Sequence, residues 1–308
     1  MRILITGGTG MIGSSFSDLE TNHELVLVGS KQFDLRSRNA VDQMLDEIRP
    51  DAIIHLAAHV GGVKANTDYV SDFFYDNIMI NANILESAKN HKIGKVLSLL
   101  STCVYPDNPS YPLTENQIHN GEPHESNFGY AYAKRMLEIH SRAIRRQYGM
   151  KYITAVPNNV YGPNDNHDLN NGHVIPSMIR KFHEAKLKNN DVVLWGDGSP
   201  LREFTLSFDV ARALLLLLEN YDGESPVNIG CHDQRSISQV ANIIAEQIGF
   251  DGDVIWDSKM PTGQLKKPSS NKKFLDMFPE FCYTDLETGL KKTCKWFADN
   301  YPNVRGVK

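Results

Sequence analysis

Short apolar runs, rich in leucine and β-branched residues, recur along the first half of the chain, and each is closed by turn-forming residues. Arg2–Thr6 comes first and is bounded at once by glycines; Leu25–Val28, Ala52–Ala57, Lys95–Leu100 and Tyr152–Val156 follow. Runs that are apolar at consecutive rather than alternate positions suit strands buried on both faces of a parallel sheet. Between them lie stretches with apolar residues at helical spacing, among them Ser37–Ile48, Asn77–Asn90 and Tyr130–Tyr148. The alternation predicts an α/β fold with a doubly wound parallel sheet. After Gly162 the pattern changes to a loop rich in Asn, Asp and His (163–173), a predicted helix over 175–188 and a turn-rich segment reaching Glu203. Helical spacing resumes over 206–219, and Val227–Ile229 is expected to return to the sheet. From Ser236 the tail holds two further helical stretches and a basic loop at Lys266 and Lys267. The expected division is a main domain of 1–162 plus about 204–230, and a smaller discontinuous lobe of about 163–203 plus 231–308.

The bulk numbers narrow the class. A chain of 308 residues, 41% hydrophobic, can fill a substantial core. Its formal charge of −5 lacks the basic excess of nucleic-acid binders and proteins that dock on anionic membranes. No apolar run approaches the roughly 20 residues that span a bilayer. The first residues pass straight into a strand and a glycine turn, so no cleavable leader is expected. Cys103, Cys231, Cys282 and Cys294 lie far apart with no CxxC pair, as expected of reduced thiols in a cytoplasmic protein. No metal is implied.

The first strand runs into Thr6-Gly7-Gly8-Thr9-Gly10-Met11-Ile12-Gly13. Glycines at this spacing, between a strand and a helix, suit a dinucleotide. Gly7 permits the tight turn, Gly10 lets the backbone approach a pyrophosphate, and Gly13 lets helix pack on strand, while the helix N-terminus offers N–H donors. The second strand ends in Val28-Gly29-Ser30-Lys31, without the carboxylate that binds the ribose 2′-hydroxyl of NAD. A hydroxyl and an ammonium there favour the 2′-phosphate of NADP. Asp34 and Leu35 follow and are expected near the adenine.

Tyr130 and Lys134 are four residues apart on a predicted helix and share a face, whereas Tyr132 points elsewhere. A nearby ammonium favours a phenolate, so the tyrosine is expected to have a lowered pKa and to exchange a proton with a carbonyl or alcohol oxygen. Ser101 lies just past the C-terminal end of a predicted strand, where open α/β sheets place their ligands, and can hold the same oxygen.

TGGTGMIG, HLAA (55–58), STCVYP (101–106), YAYAK (130–134) and NNVYGP (158–163) together resemble the extended short-chain dehydrogenase family. Val60-Gly61-Gly62-Val63 with Asn66, Ser101-Thr102-Cys103, Asn127-Phe128-Gly129-Tyr130, Gly172-His173-Val174-Ile175-Pro176 and Pro200-Leu201-Arg202-Glu203-Phe204 resemble its GDP-L-fucose synthase branch. That resemblance, running from Met1 to about Tyr301, implies a Rossmann-like fold, a homodimer and an NADPH-dependent enzyme. It implies epimerisation of GDP-4-keto-6-deoxy-D-mannose at C3 and C5, then reduction at C4. Both carbons flank the ketone, so their protons become removable once donors hold its oxygen. By the same resemblance Cys103 and His173 form the acid–base pair, Cys103 being assigned as base and His173 as acid. Leu56, Ala57, Ala58, Pro157, Asn159, Val160 and His173, with Tyr130 and Lys134, are implied at the dinucleotide. Asn66, Ser101, Thr102, Cys103 and Asn159 are implied at the sugar, and Lys181, Trp195, Arg202 and Lys267 at the nucleotide diphosphate.

Asn158 and Thr262 stand where the branch more often has Thr and Asp. Two other readings stay open: another nucleotide-sugar epimerase or dehydratase, and a non-catalytic NADP-binding protein. A 4,6-dehydratase typically carries an acidic pair after the serine, where this chain has Thr102-Cys103. A non-catalytic protein is expected to lose Tyr130 or Lys134, and both are present.

Overall fold

The computed structural model describes residues 1–259 and 265–307; Thr262, singled out above, lies outside them. Strands β1 (Arg2–Thr6), β2 (Glu24–Val28), β3 (Ala52–His55), β4 (Lys95–Leu99), β5 (Lys151–Pro157) and, after β6 (Asn159–Tyr161), β7 (Val192–Trp195) and β8 (Leu201–Leu206), β9 (Val227–Ile229) follow one another along the chain. Six of them form one sheet in the order β2-β1-β3-β4-β5-β9, parallel throughout. Both faces are covered, so alternate residues of each strand enter different cores. Leu4, Ile53, Val96 and Tyr152 point to one side, and Ile3, Ile5, Ile54, Leu97 and Ile153 to the other.

The first face is covered by α2 (Arg38–Ile48), α4 (Val70–Asn90) and α5 (Phe128–Tyr148). The second is covered by the turn after β1 and by α7 (Ser207–Asn220). A third cluster forms the core of the smaller lobe. It joins α6 (Val174–Lys188), α8 (Ile237–Ile248), α10 (Leu286–Asn300), β7 and β8. There β8 pairs in parallel with β6 and antiparallel with β10 (Gln234–Ser236), and β7 pairs with β11 (Val254–Asp257).

Several expectations are corrected. The helix expected over 77–90 begins at Val70 and is preceded by α3 (Val63–Asp68); exposed Tyr69, Val70, Phe74 and Tyr75 put apolar residues on its outer side and blur the amphipathic period. The turn-rich segment before Glu203 contains β7 and the start of β8, short strands that the intervening glycines hid. The tail carries α9 (Lys272–Met277) in addition to α8 and α10. The first helix, α1, spans only Met11–Ser14 before tightening into a 3₁₀ turn over Ser15–Asp18.

Strand order reverses between β1 and β3, the point at which open parallel sheets bind ligands beyond their C-terminal ends. A buried polar chain spans this point. Thr6 Oγ1 lies 2.8 Å from His55 Nδ1, His55 Nε2 lies 3.1 Å from Asn81 Oδ1, and Asn81 Nδ2 reaches the Ala133 carbonyl of α5 at 3.4 Å. The acceptor Oδ1 puts the imidazole proton on Nε2, so the Thr6 hydroxyl donates to Nδ1. Burial, reinforced by the nearby Lys134 ammonium, lowers His55 to about 3. The native imidazole is therefore neutral where an unfolded one, with its pKa near 6.5, takes a proton. His55 thus contributes stability that is full above about pH 6.5 and declines as pH falls towards about 3, by at most about 1.4 kcal/mol per pH unit. Urea unfolding between pH 8 and 5 should show this decline, and His55→Gln, less stable at neutral pH, should show a flatter one; parallel slopes would exclude His55 as the source.

Candidate active site

The glycine turn is set by close backbone approaches. Gly7 has φ +71, and a Cβ there would meet the Ala57 nitrogen at 2.9 Å. A Cβ on Gly13 would come within 2.3 Å of the Gly7 carbonyl, so α1 can sit this close to the strand only with glycine at that position. Gly8 donates to the Val28 carbonyl at 2.8 Å, which ties the turn to β2. A Cβ on Gly10 would meet only the Gly7 carbonyl, at 3.2 Å, and the amides of the α1 first turn have no side-chain cap. This cradle of backbone N–H groups beside Thr9, Met11 and Ile12 fits a pyrophosphate. Because α1 is a single turn, its pull on an anion comes from those amides rather than from a long helix dipole.

Ser30 and Lys31 are exposed beyond β2, open to a ligand. Asp34 is engaged: Arg36 Nε and Nη2 each reach it at 3.0 Å, and Nη1 reaches Asp76 at 3.4 Å. Arg36 was not singled out in the sequence, although a carboxylate two residues upstream is the pattern that pairs with it. Leu35 is buried in the core below. Past the end of β3, Leu56 donates to the Thr6 carbonyl, Ala57 packs against Gly7, and Ala58 follows half-buried. Pro157 ends β5; Asn159 and Val160 open β6, with Asn159 Nδ2 donating to the Glu203 carbonyl at 2.9 Å.

Ser101 and Cys103 sit past the end of β4 on a 3₁₀ turn over Thr102–Val104, capped by Ser101 Oγ, which accepts from the Cys103 amide at 3.4 Å. Arg135 of α5, also missed from sequence, holds this turn by donating to the Val104 and Gly121 carbonyls, both at 2.7 Å. Tyr130 and Lys134 share the adjoining face of α5, with Nζ 5.9 Å from the phenol ring centre. The lysine is buried and donates to the Leu99 carbonyl at 2.8 Å. Burial lowers it to about 8. The expected lowering of the tyrosine is corrected. Burial, with the Cys103 thiol as a neighbour, pushes the Tyr130 phenol well above its usual range. Without ligand, Tyr130 is a proton-bearing donor. Burial also raises the Cys103 thiol, opposed by Ser101 and by the positive charges of Lys267, Lys134 and Arg135.

His173 caps the N-terminus of α6 and is exposed. Its loop leans on the start of α3, where the Gly62 amide donates to the Asn171 carbonyl at 3.1 Å. Among the described residues, no hydrogen bond or ion pair joins His173 to Cys103 or Tyr130. Asn66 is buried and turned towards its own helix start, its Nδ2 donating to the Gly61 and Gly62 carbonyls, while Oδ1 lacks a partner. Asn158 is knit into the junction of β5 and β6: its Oδ1 accepts from Thr205 at 2.6 Å and its Nδ2 donates to the Cys231 carbonyl at 2.6 Å. Lys181 lies 5.9 Å over the Trp195 ring, and that ring is exposed. Arg202 and Lys267 are close enough to repel one another, and Lys267 donates to the Thr102 carbonyl at 3.0 Å. The fold thus gathers Ser101, Thr102, Cys103, Tyr130, Lys134 and Lys267 around one turn.

The description of the NAD dependent epimerase/dehydratase family matches residues 3–230. The chain belongs to this family. Within it the chain is 41% identical to the GDP-L-fucose synthase of Dictyostelium discoideum, over 98% of its own length and 97% of that protein. It is 36% identical to a probable GDP-L-fucose synthase of Drosophila melanogaster, over 99% of each. A crystal structure of a GDP-L-fucose synthetase from Naegleria fowleri bound to NADP superposes with a TM-score of 0.94 at 40% identity, covering 99% of this chain and 94% of that one.

Proposed function

We propose that the chain converts GDP-4-keto-6-deoxy-D-mannose to GDP-L-fucose, using NADPH as reductant. The observation that carries this reading is the Ser101–Cys103 turn set against the Tyr130–Lys134 face of α5, beside a glycine cradle for a dinucleotide. Full-length similarity to GDP-L-fucose synthases supports the choice of sugar. Residues 1–162 with about 204–230 serve the dinucleotide, and the remainder serves the GDP-sugar.

Ser101 and Tyr130 hold the C4 ketone oxygen. Both are hydroxyl donors, and burial, which weakens the phenol as an acid, keeps its proton in place while negative charge grows on that oxygen. Cys103 as thiolate takes the proton from C3 or C5, the C–H electron pair forming the enolate double bond as the carbonyl pair settles on oxygen. His173 returns a proton on the opposite side. In this structure His173 sits at the exposed cap of α6, so that role requires its loop to meet the sugar. Bound NADPH supplies hydride to C4. Tyr130 then gives its proton to the oxygen, and Lys134, at about 8, takes part as a cation that can shed its own proton near neutral pH. Lys181, Trp195 and Arg202 receive the nucleotide, and Ser30 and Lys31 the 2′-phosphate.

Two further properties belong to this reading. The free cysteines suit a cytoplasmic location, and among the described residues no helix is long and apolar enough to cross a membrane. Exposed Tyr69, Phe74 and Tyr75 of the α4 region and Phe128, Met136 and Ile139 of α5 form the face by which two copies associate through paired helices. Sedimentation equilibrium should give twice the 34.7 kDa chain mass, reduced towards one chain by Met136→Asp with Ile139→Asp; a monomeric parent would exclude the dimer.

Cofactor preference is tested by Lys31→Ala. It should weaken NADPH by about 1.5–3 kcal/mol, the worth of a charge-assisted hydrogen bond, and leave NADH unchanged. Equal efficiency of the two cofactors with the parent protein would remove the 2′-phosphate assignment.

Epimerisation and reduction should fail separately. In deuterated water without NADPH, the parent should exchange the C3 and C5 hydrogens of the keto sugar. Cys103→Ser should abolish that exchange while still binding NADPH, because a hydroxyl is far harder to ionise than a thiol. Tyr130→Phe should bind NADPH normally and lose about 10²–10⁴-fold in its oxidation. Undiminished exchange by Cys103→Ser, with GDP-L-fucose still formed, would reduce Cys103 to a packing residue.

A further inference from the structure

Lys267 lies on a segment that laces the two lobes together. The Leu201 amide donates to the Leu265 carbonyl at 2.8 Å, Leu113 to Pro268 at 2.9 Å, and Ser270 back to Leu113 at 2.9 Å. The Ser269 amide and hydroxyl both reach Glu203 Oε2, at 3.0 and 2.6 Å. A segment fixed on both sides of Lys267 confines where its ammonium can go. Among the described residues Lys267 makes no salt bridge; it donates instead to the Thr102 carbonyl, one residue from the reactive thiol. The charged groups that act on Cys103 are Lys267, Lys134 and Arg135, with the Ser101 and Tyr130 hydroxyls beside them. Lys134 and Arg135 donate to the carbonyls of Leu99, Val104 and Gly121. Lys267 reaches the turn from a separate segment of the chain, whereas Lys134 and Arg135 both come from α5.

We infer that Lys267 is a positioning residue for proton abstraction: tethered to the Thr102 carbonyl, its ammonium holds the turn that carries Cys103 and stabilises the thiolate. This goes beyond a contact with the diphosphate, and it rests on the reading of Cys103 as the base. The thiol first releases its proton to water. The sulfur lone pair then forms S–H with the proton from carbon, and the charge moves to the ketone oxygen held by Ser101 and Tyr130. A fixed cation at the sulfur favours the first step. Burial alone opposes it.

The test follows alkylation of Cys103 by iodoacetamide against pH, read peptide by peptide in the mass spectrometer so that Cys231, Cys282 and Cys294 are counted separately. Labelling needs neither substrate nor turnover, so its outcome is independent of whether the activity assignment holds. Lys267→Gln keeps a donor for the Thr102 carbonyl but removes the charge. It should raise the apparent pKa of Cys103 by about one unit, roughly a tenfold loss of thiolate at neutral pH. Lys267→Arg should restore the parent profile, and Lys267→Met, lacking both charge and donor, should shift at least as far as Gln. NADPH affinity, measured alongside, establishes that each variant is folded. GDP affinity by calorimetry reports any contact with the diphosphate. If Lys267→Gln and Lys267→Met label with the parent profile while GDP binding falls, Lys267 serves the nucleotide alone and the inference is overturned.

Discussion

The neutral imidazole of His55 joins the parts of this protein that must agree on position. Through Thr6 it is fixed to the end of β1, where the glycine turn begins. Through Asn81 it is fixed to α4, and the same amide reaches the backbone of α5 one residue before Lys134. The bonds require one tautomer, and burial beside the Lys134 ammonium keeps a second proton away. No carboxylate faces the ring through these bonds, so a charged imidazole would sit buried beside neutral partners and a like charge. The strand reversal and the face of α5 that carries Tyr130 and Lys134 are therefore held by a single buried network.

The environment around Cys103 applies the opposite logic. Lys134, Arg135 and Lys267 all approach one turn, and each gives hydrogen bonds to backbone carbonyls rather than to carboxylates. Carbonyl acceptors satisfy the donors without cancelling their charge, and the positive potential remains available to an anion that forms later. At Lys267 the Asp107 carboxylate is near enough to offset part of that charge. Glu203, the buried carboxylate of the same region, is instead occupied by the Ser269 amide and hydroxyl.

Much of this was legible in the sequence because it depends on local rules. The strands read as unbroken apolar runs, and the glycines occupy positions where a Cβ would strike backbone. Tyr130 and Lys134 share a face because of helical geometry alone. What escaped depends on tertiary placement. Arg135 and Arg36 look like ordinary surface cations until the turns they hold are present. The acidity of Tyr130 was misread because spacing shows the nearby ammonium and hides the desolvation, which wins here. The short strands β7 and β8 acquire their character from pairing partners far along the chain. Asn66 was expected to face the sugar, yet its amide closes the turn at its own helix start. His173 is grouped with Cys103 by resemblance, and the fold sets it at the start of α6, on a loop whose Asn171 carbonyl accepts from the Gly62 amide.

The sheet closes late. Its outermost strand, β9, pairs with β5 through Ala155–Val227 and Pro157–Ile229, and the whole first section of the small lobe intervenes between them. During synthesis from the N-terminus, the flank of β5 has no partner until Ile229 has left the ribosome. For that interval an apolar strand edge stands open to other chains. The chain up to Gly162 is thus neither an independent folding unit in time nor a module that could be cut out by truncation at that point. Its last hydrogen bonds wait for sequence that follows the part of the chain it helps to support.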